Sequence, residues 1–386
     1  MSRAAAADGW WWNVGALRLR GAILAVSAFV VASCLTPAPI VRALPERPAT
    51  RPTSRALSVV LLALDGVRWQ EVFRGVDRRR TEARSQRSLG PSSAEALMPN
   101  LHGLAEDGGV LLGEPASGTD VFASGPAFVS LPGYSEMLSG RRVTACKDNA
   151  CGATTTPTFA DEVATTPGAG FGDTAIVTSW PDIGRIAARR ADRVAMSTGR
   201  NGGPTRELFR RDPVSRALVD EAATSRADPG VGDFRPDRLT AQIALRYLET
   251  ARPRFLFVSL GEPDEYAHRG DYAGYLRALR HADRAIGMIS RALEERARQG
   301  FRTVLFVTAD HGRASDFVNH GREHPESARV WLFAWGTEVS KRPFDAAGER
   351  YLADLAPTLR MLFGLAADRH PAAGRPLAGL LERRAE

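Results

Sequence analysis

Asp65, Asp264, His268, Asp310 and His311 each follow closely on a short apolar run, in Leu64-Asp65-Gly66, Gly261-Glu-Pro-Asp264-Glu-Tyr-Ala-His268 and Ala309-Asp310-His311-Gly312. Carboxylate oxygen mixed with imidazole nitrogen is a donor set for zinc, manganese or iron, whereas calcium prefers oxygen alone. A later histidine joins them: His320, in Asn319-His320-Gly321, with His324 nearer the next apolar run as its substitute. Together these side chains suffice for two divalent metal ions with open positions, zinc first, with manganese or iron as alternatives. Singly, each has an ordinary explanation. An aspartate after a strand caps helices, Asp-His-Gly makes turns, and a lone histidine is usually structural. The same placement after three separate apolar runs is what argues for a site.

The elements that must position these residues are legible as alternating patterns. Ser58–Leu64, Thr174–Thr178, Phe255–Leu260, Thr303–Thr308 and Arg329–Ala334 read as buried strands, and Asp237–Thr250 and Tyr272–Gln299 carry helical periodicity. The alternation predicts an α/β fold, a three-layer αβα sandwich with a largely parallel central sheet, over residues 57–386. Ligands bind such sheets outside the carboxyl ends of the strands, where these aspartates and histidines fall. The segments Arg74–Leu97 and Arg185–Arg235 carry no motif and read as a cap over the site or as surface loops. His102 and His281 fall on predicted helices without a partner motif and read as packing or surface residues.

The order of Leu64-Asp65-Gly66, Met98-Pro-Asn-Leu101, Ser130-Leu-Pro132-Gly133-Tyr134, Asp264-x-x-x-His268 and Thr308-Ala-Asp310-His311-Gly312 resembles the alkaline phosphatase superfamily, in its phosphodiesterase and nucleotide-pyrophosphatase branch. The resemblance runs from Leu57 to about Arg360. It implies that Asp65, Asp310 and His311 hold one metal and Asp264, His268 and His320 the other, with Ser130 as a nucleophile held against the metals. Metal coordination is a recognised way to activate a weakly nucleophilic hydroxyl. Pro132 suits the first turn of a helix running to about Leu138, which sets Ser130 beside a helix N-terminus favourable to anions. The alternative for Ser130 is a plain helix cap. The implied activity is cleavage of a phosphate-type ester, monoester or diester, through a phosphorylated Ser130. Arg68, Arg141 and Asn149, near the ligand-bearing turns, are candidates for substrate contact. A sulfuric-ester hydrolase is the nearest rival, but Tyr134 stands where the sulfatase maturation motif needs arginine. A lipoprotein that binds phosphorylated ligands without turnover is the other.

The formal charge of +7, from 51 basic against 44 acidic residues, is scattered, without the basic stripe and interleaved aromatics of a nucleic-acid binder. The expected partner is a small phosphorylated substrate. Arg18 and Arg20 precede the apolar run Gly21 to Val31, a signal-peptide pattern too short to span a bilayer comfortably. Val31-Ala-Ser-Cys34 resembles a bacterial lipobox, which implies a signal peptide over residues 1–34, lipidation of Cys34, and export to the periplasmic or envelope side on a membrane anchor. An ordinary signal peptide cut near Ala32 or Ala38, or an uncleaved anchor, is the alternative. Residues 35–56, rich in Pro, Arg, Thr and Ala, read as a flexible tether. In an oxidising compartment Cys146 and Cys151 can close a small disulfide loop. A phosphosugar mutase of the same superfamily is disfavoured by the export signal.

Overall fold

The computed structural model describes residues 57–81, 92–115, 117–142, 144–342, 344 and 348–382. The expected signal peptide, tether and Cys34 lie outside them. Ten strands appear in chain order: β1 (Leu57–Leu64), β2 (Val110–Leu112), β3 (Val121–Phe122), β4 (Thr174–Thr178), β5 (Ala195–Thr198), β6 (Phe255–Leu260), β7 (Arg302–Thr308), β8 (Arg329–Val330), β9 (Leu332–Gly336) and β10 (Arg350–Tyr351). Seven build the main sheet in the order β2-β9-β7-β1-β6-β4-β5, and β10-β3-β8 form a small second sheet. β5, β4, β6, β1 and β7 run parallel, while β9 and β2 are antiparallel additions at one edge. Every residue of β1 and β6 is buried. Their runs of Leu, Val and Phe, interrupted by small residues at Ser58, Ala63 and Ser259, are what a central parallel strand covered on both faces requires, at roughly 1.5–3 kcal/mol per fully buried large side chain.

Helices cover both faces, so the αβα sandwich is observed. The helix Tyr272–Arg298 buries Tyr275, Leu279, Ala282, Ile286, Ile289 and Leu293, spaced by three and four, and Asp271 caps it by accepting from Gly274 N at 2.7 Å. Against it packs the helix Pro99–Glu106. There the Asp283 carboxylate accepts from Asn100 N, Asn100 Nδ2 and Leu101 N at 2.7–3.1 Å, which gives the Met98-Pro-Asn-Leu101 motif a structural role in joining the two helices. His102, on the shorter helix, contacts the Val72 carbonyl, and His281 sits on the longer one.

Two expectations are corrected. Arg329–Ala334 is not one strand: Trp331 separates β8 from β9, its indole Nε1 donating to Val67 O across the core. Arg185–Arg235 is not a cap or loop but contributes β5 and two helices to the domain. Arg235, wholly buried, ties that segment down by donating to the Thr178 and Ser197 carbonyls and to Ser197 Oγ. No helix among the described residues is long and apolar enough to cross a membrane.

Candidate metal centre and nucleophile

β1, β6 and β7 are neighbours in the sheet, so their carboxyl ends bring Asp65, Asp264, Asp310 and His311 to one edge. Asp65 continues β1 by donating its N–H to Leu260 O at 2.9 Å. Gly66 then turns with φ +62°, where a Cβ would stand 2.3 Å from Asp264 Oδ1, so only glycine fits. Its N–H donates to Asp310 Oδ1 at 3.0 Å. After β6 the helix Glu262–His268 places Asp264 and His268 one turn apart on one face, with His268 Nε2 3.0 Å from Asp264 Oδ2. The start of this helix is fixed by Asp237, whose carboxylate accepts from Gly261 N and Glu262 N, both at 2.8 Å.

His320 joins from the loop after β7. Its Nδ1 lies 2.9 Å from Phe128 O, which leaves Nε2 facing the site, 3.0 Å from His268 Nε2. His311 Nδ1 is likewise 2.8 Å from Gly312 O, so its Nε2 is the free nitrogen. The His311 and His320 rings stack with centroids 4.0 Å apart. Two ligand groups result, Asp264-His268-His320 and Asp65-Asp264-His311, each with donor atoms within 4.8 Å of one another. Asp264 belongs to both. Asp310 is not in the second group; its Oδ1 accepts from Gly66 N, and its Oδ2 lies 3.4 Å from His311 Nε2. His324 belongs to neither group.

The electrostatics fit a divalent cation. Asp310 Oδ2 is buried with no hydrogen-bond partner. Burial, then the neighbouring Asp65, pushes the Asp310 carboxyl well above its ordinary range. For His311, burial disfavours charge, but Asp310, Asp65 and Asp264 outweigh it and hold the imidazolium up to about 9. His320 goes the other way, lowered to about 3 by burial and by His311. Crowded carboxylates with an unpartnered buried oxygen and two imidazoles presenting Nε2 form the donor chemistry of a metal centre.

Ser130 reaches this edge from a different part of the chain. It opens the helix Ser130–Ser139, whose cap is Val129, so the plain-cap reading fails. Ser130 Oγ instead donates to Asp65 Oδ1 at 3.2 Å and lies 3.3 Å from His311 Nε2. The helix can approach because Gly133 has no side chain: a Cβ there would stand 2.2 Å from Asp310 O. Asn149 holds the first turn by accepting from Leu131 N at 2.9 Å. It sits in the loop closed by the Cys146–Cys151 disulfide, which Arg185 pins by donating to the Asn149 and Cys151 carbonyls, both at 2.8 Å.

Two of the substrate-contact candidates are elsewhere. Arg68 is buried in an ion pair with Glu71, to which Tyr272 and Tyr275 also donate. Arg141 pairs with Asp368 at 2.8 Å beyond the far end of the Ser130 helix. Conversely, two residues at the site carried no assigned role in the sequence. Tyr134, fully buried, donates to Asp65 Oδ2 at 3.0 Å and shares a 2.7 Å hydrogen bond with Ser259 Oγ. Arg313, directly after Asp310-His311-Gly312, is buried and pairs with Asp264 Oδ1 while donating to the Phe317 and Val318 carbonyls. Burial disfavours the Asp264 charge, but Arg313 and the two histidines hold its carboxyl well below the usual range. Adjacency to the Asp-His-Gly turn was the only signal for Arg313.

The sheet with its flanking helices, and the carboxylates and imidazoles gathered at its edge, can be set beside known proteins. Residues 230–367 match the family model of the Metalloenzyme superfamily. The chain has the alkaline phosphatase superfamily fold: it superimposes on a protein of that superfamily from Vibrio parahaemolyticus with a TM-score of 0.51, 14% identity, and coverage of 86% of this chain and 71% of that one. The lipooligosaccharide phosphoethanolamine transferase A of Neisseria meningitidis gives a TM-score of 0.50 at 14% identity, over 82% of this chain and 55% of the transferase. In sequence, the chain is 24% identical over 136 residues to the 2,3-bisphosphoglycerate-independent phosphoglycerate mutase of Nitrosococcus oceani, covering 34% of this chain and 25% of the mutase. The match thus spans about a quarter of that relative's length.

Proposed function

We propose that the protein is an exported hydrolase that cleaves a phosphate-type ester, monoester or diester, with Ser130 as nucleophile and two divalent metal ions, zinc first, as cofactors. The observation that carries this reading is the placement of Ser130 Oγ, within 3.3 Å of both Asp65 and His311 in the ligand group that shares Asp264 with the other. Asp264, His268 and His320 would hold one ion. Asp65 and His311, with Asp264 or Asp310, would hold the other. Bound ions supply Lewis-acid polarisation of the ester oxygens and lower the pKa of coordinated hydroxyls.

The chain's own residues do the rest. The Leu131 N–H anchored on Asn149, together with Gly133 seated on Asp310 O, fixes Ser130 Oγ at the sheet edge. Oγ attacks phosphorus, the bond to the leaving oxygen breaks, and the alcohol departs with a proton. Water then attacks the phosphoseryl group, the bond from phosphorus to Oγ breaks, the phosphate or phosphomonoester product leaves, and Oγ takes back a proton. Tyr134 keeps Asp65 oriented by occupying its second oxygen. Of the three substrate-contact candidates, Asn149 alone lies beside the nucleophile. The Cys146–Cys151 disulfide supports an oxidising compartment, in keeping with the lipobox-like segment at Cys34 and a lipid-anchored, envelope-side location.

The test is metal analysis of the purified protein coupled to hydrolysis of para-nitrophenyl phosphate and its diester, with Ser130→Ala as control. Two ions per chain with Ser130-dependent turnover supports the reading and identifies the ester type. Bound metal without turnover moves the protein to the ligand-binding alternative, and hydrolysis of the sulfate ester alone to the sulfuric-ester one. Absence of metal binding sinks the proposal.

A further inference from the structure

A cavity of about 320 Å³ opens against the first turn of the Ser130 helix, where Pro132 and Gly133 form part of its wall. That is enough room for a small ligand or a substrate arm. Ala123, Pro126 and Ala127 give it a short apolar side, and Arg142, Lys147 and Arg322 give it charge. None of these three cations forms an ion pair among the described residues. Elsewhere arginines are matched: Arg141 with Asp368, Arg185 with Asp182, Arg246 with Asp212. The guanidinium of Arg142 is steadied 3.7 Å over the Tyr351 ring, and the Asp354 carboxylate that feels its charge lies outside the cavity lining. The one carboxylate in the lining, Glu136, is buried and already accepts from Ser124 N, Ser124 Oγ and Ala353 N.

The segments that carry the cations lead directly into the site. Arg322 follows His320 by two residues. Lys147 precedes Asn149 by two, inside the disulfide loop that supports the helix. Ala127 adjoins Phe128, whose carbonyl faces His320 Nδ1 at 2.9 Å. Three like charges around one hollow repel one another unless an anion sits among them, and a charge-assisted contact to carboxylate or phosphate is the strong form of hydrogen bond.

We propose that this cavity is a subsite for a second anionic group, carboxylate or phosphate, carried by the substrate beyond the ester that is cleaved, with the apolar side taking the short carbon segment between them. This rests on the phosphate-ester reading above.

The experiment compares phenyl phosphate with 3-carboxyphenyl phosphate and 1,3-phenylene bisphosphate as substrates of the metal-loaded full chain. It uses the wild type and the double variant Lys147→Ala/Arg322→Ala; both residues are exposed, so the core is untouched. The wild type should favour the doubly anionic esters by about tenfold or more in kcat/KM, mainly through KM, the difference that one good contact makes. The double variant should lose that preference while keeping its phenyl phosphate rate, and Arg142→Gln should do the same. Whichever anionic ester gains more identifies the group. Equal kcat/KM for all three esters in the wild type, or a preference that survives in the double variant, overturns the subsite. If no ester is turned over, the ester reading itself has failed. The subsite is then judged by titration calorimetry with inorganic pyrophosphate, where about tenfold weaker binding to the double variant supports it and equal binding refutes it.

Discussion

Arg313→Met removes the cation paired with Asp264. Both partners are nearly inaccessible, Arg313 at 3% and Asp264 at 8% exposure. Removing one member of such a pair strands the other charge, at roughly 3–5 kcal/mol. The methionine also leaves the Phe317 and Val318 carbonyls without their guanidinium donor. With about 2.1 cal/mol/K of unfolding entropy per residue over roughly 300 ordered residues, that loss lowers the melting temperature by roughly 5–8 °C. The informative comparison is between chelator and added zinc. A divalent ion bound at Asp264 replaces the missing charge, so the deficit of the variant should shrink on adding metal, and zinc should stabilise the variant more than the wild type. Thermal melts of both proteins in each condition read this directly. A deficit below about 1 kcal/mol in chelator, or one equally large with zinc present, would refute the view that Arg313 and the metal share the task of neutralising Asp264.

Tyr134→Phe deletes the hydroxyl that orients Asp65, and metal affinity should fall by about 10–100-fold in calorimetric titration, as for other groups that orient a ligand. Asn149→Ala leaves the Leu131 N–H without its side-chain acceptor; a loss of roughly 1 kcal/mol in denaturant unfolding, with kcat reduced more than KM is changed, is expected. Glu136 has its carboxyl raised from 4.5 to about 7, because burial outweighs the three donors that face it. A folded value above the unfolded one means that the stability it contributes is fully present below about pH 4.5 and is lost as pH rises through about 7, by roughly 3 kcal/mol. Glu136→Gln should remove that slope, read as urea midpoints across this interval, and an unchanged slope would discard the assignment.

The ligand-bearing strands were legible because a fully buried parallel strand must be a largely apolar run, and an aspartate at its end stands out against it. Ser130 was legible only through its motif, since a serine before Leu-Pro looks equally like a cap; its contacts with Asp65 and His311 are tertiary. Arg313 was hidden for a physical reason: an arginine after a turn is ordinarily solvated, and nothing local reveals that its partner lies 49 residues earlier in the chain. Arg68 and Arg141 were misplaced by the same limit, because proximity in sequence to a ligand turn does not say which way a side chain leaves the backbone. The segment around β5 was too polar overall to suggest a sheet edge, yet Arg235 donates from within to the Ser197 carbonyl of β5 and to the Thr178 carbonyl of β4.

The juxtaposition of β1 with β6 and β7 also bears on how the chain reaches its native state. Gly66 meets Asp310 across 244 residues, and Val59 pairs with both Phe255 and Val304. Such contacts require large loops to close before they are rewarded, which makes folding slow. The donors that would share a cation are therefore scattered until the sheet is nearly complete. A metal ion has no assembled chelate to nucleate on in the early ensemble, and its influence falls chiefly on the rate of escape from the finished fold: removing it should hasten unfolding while leaving the refolding rate almost untouched.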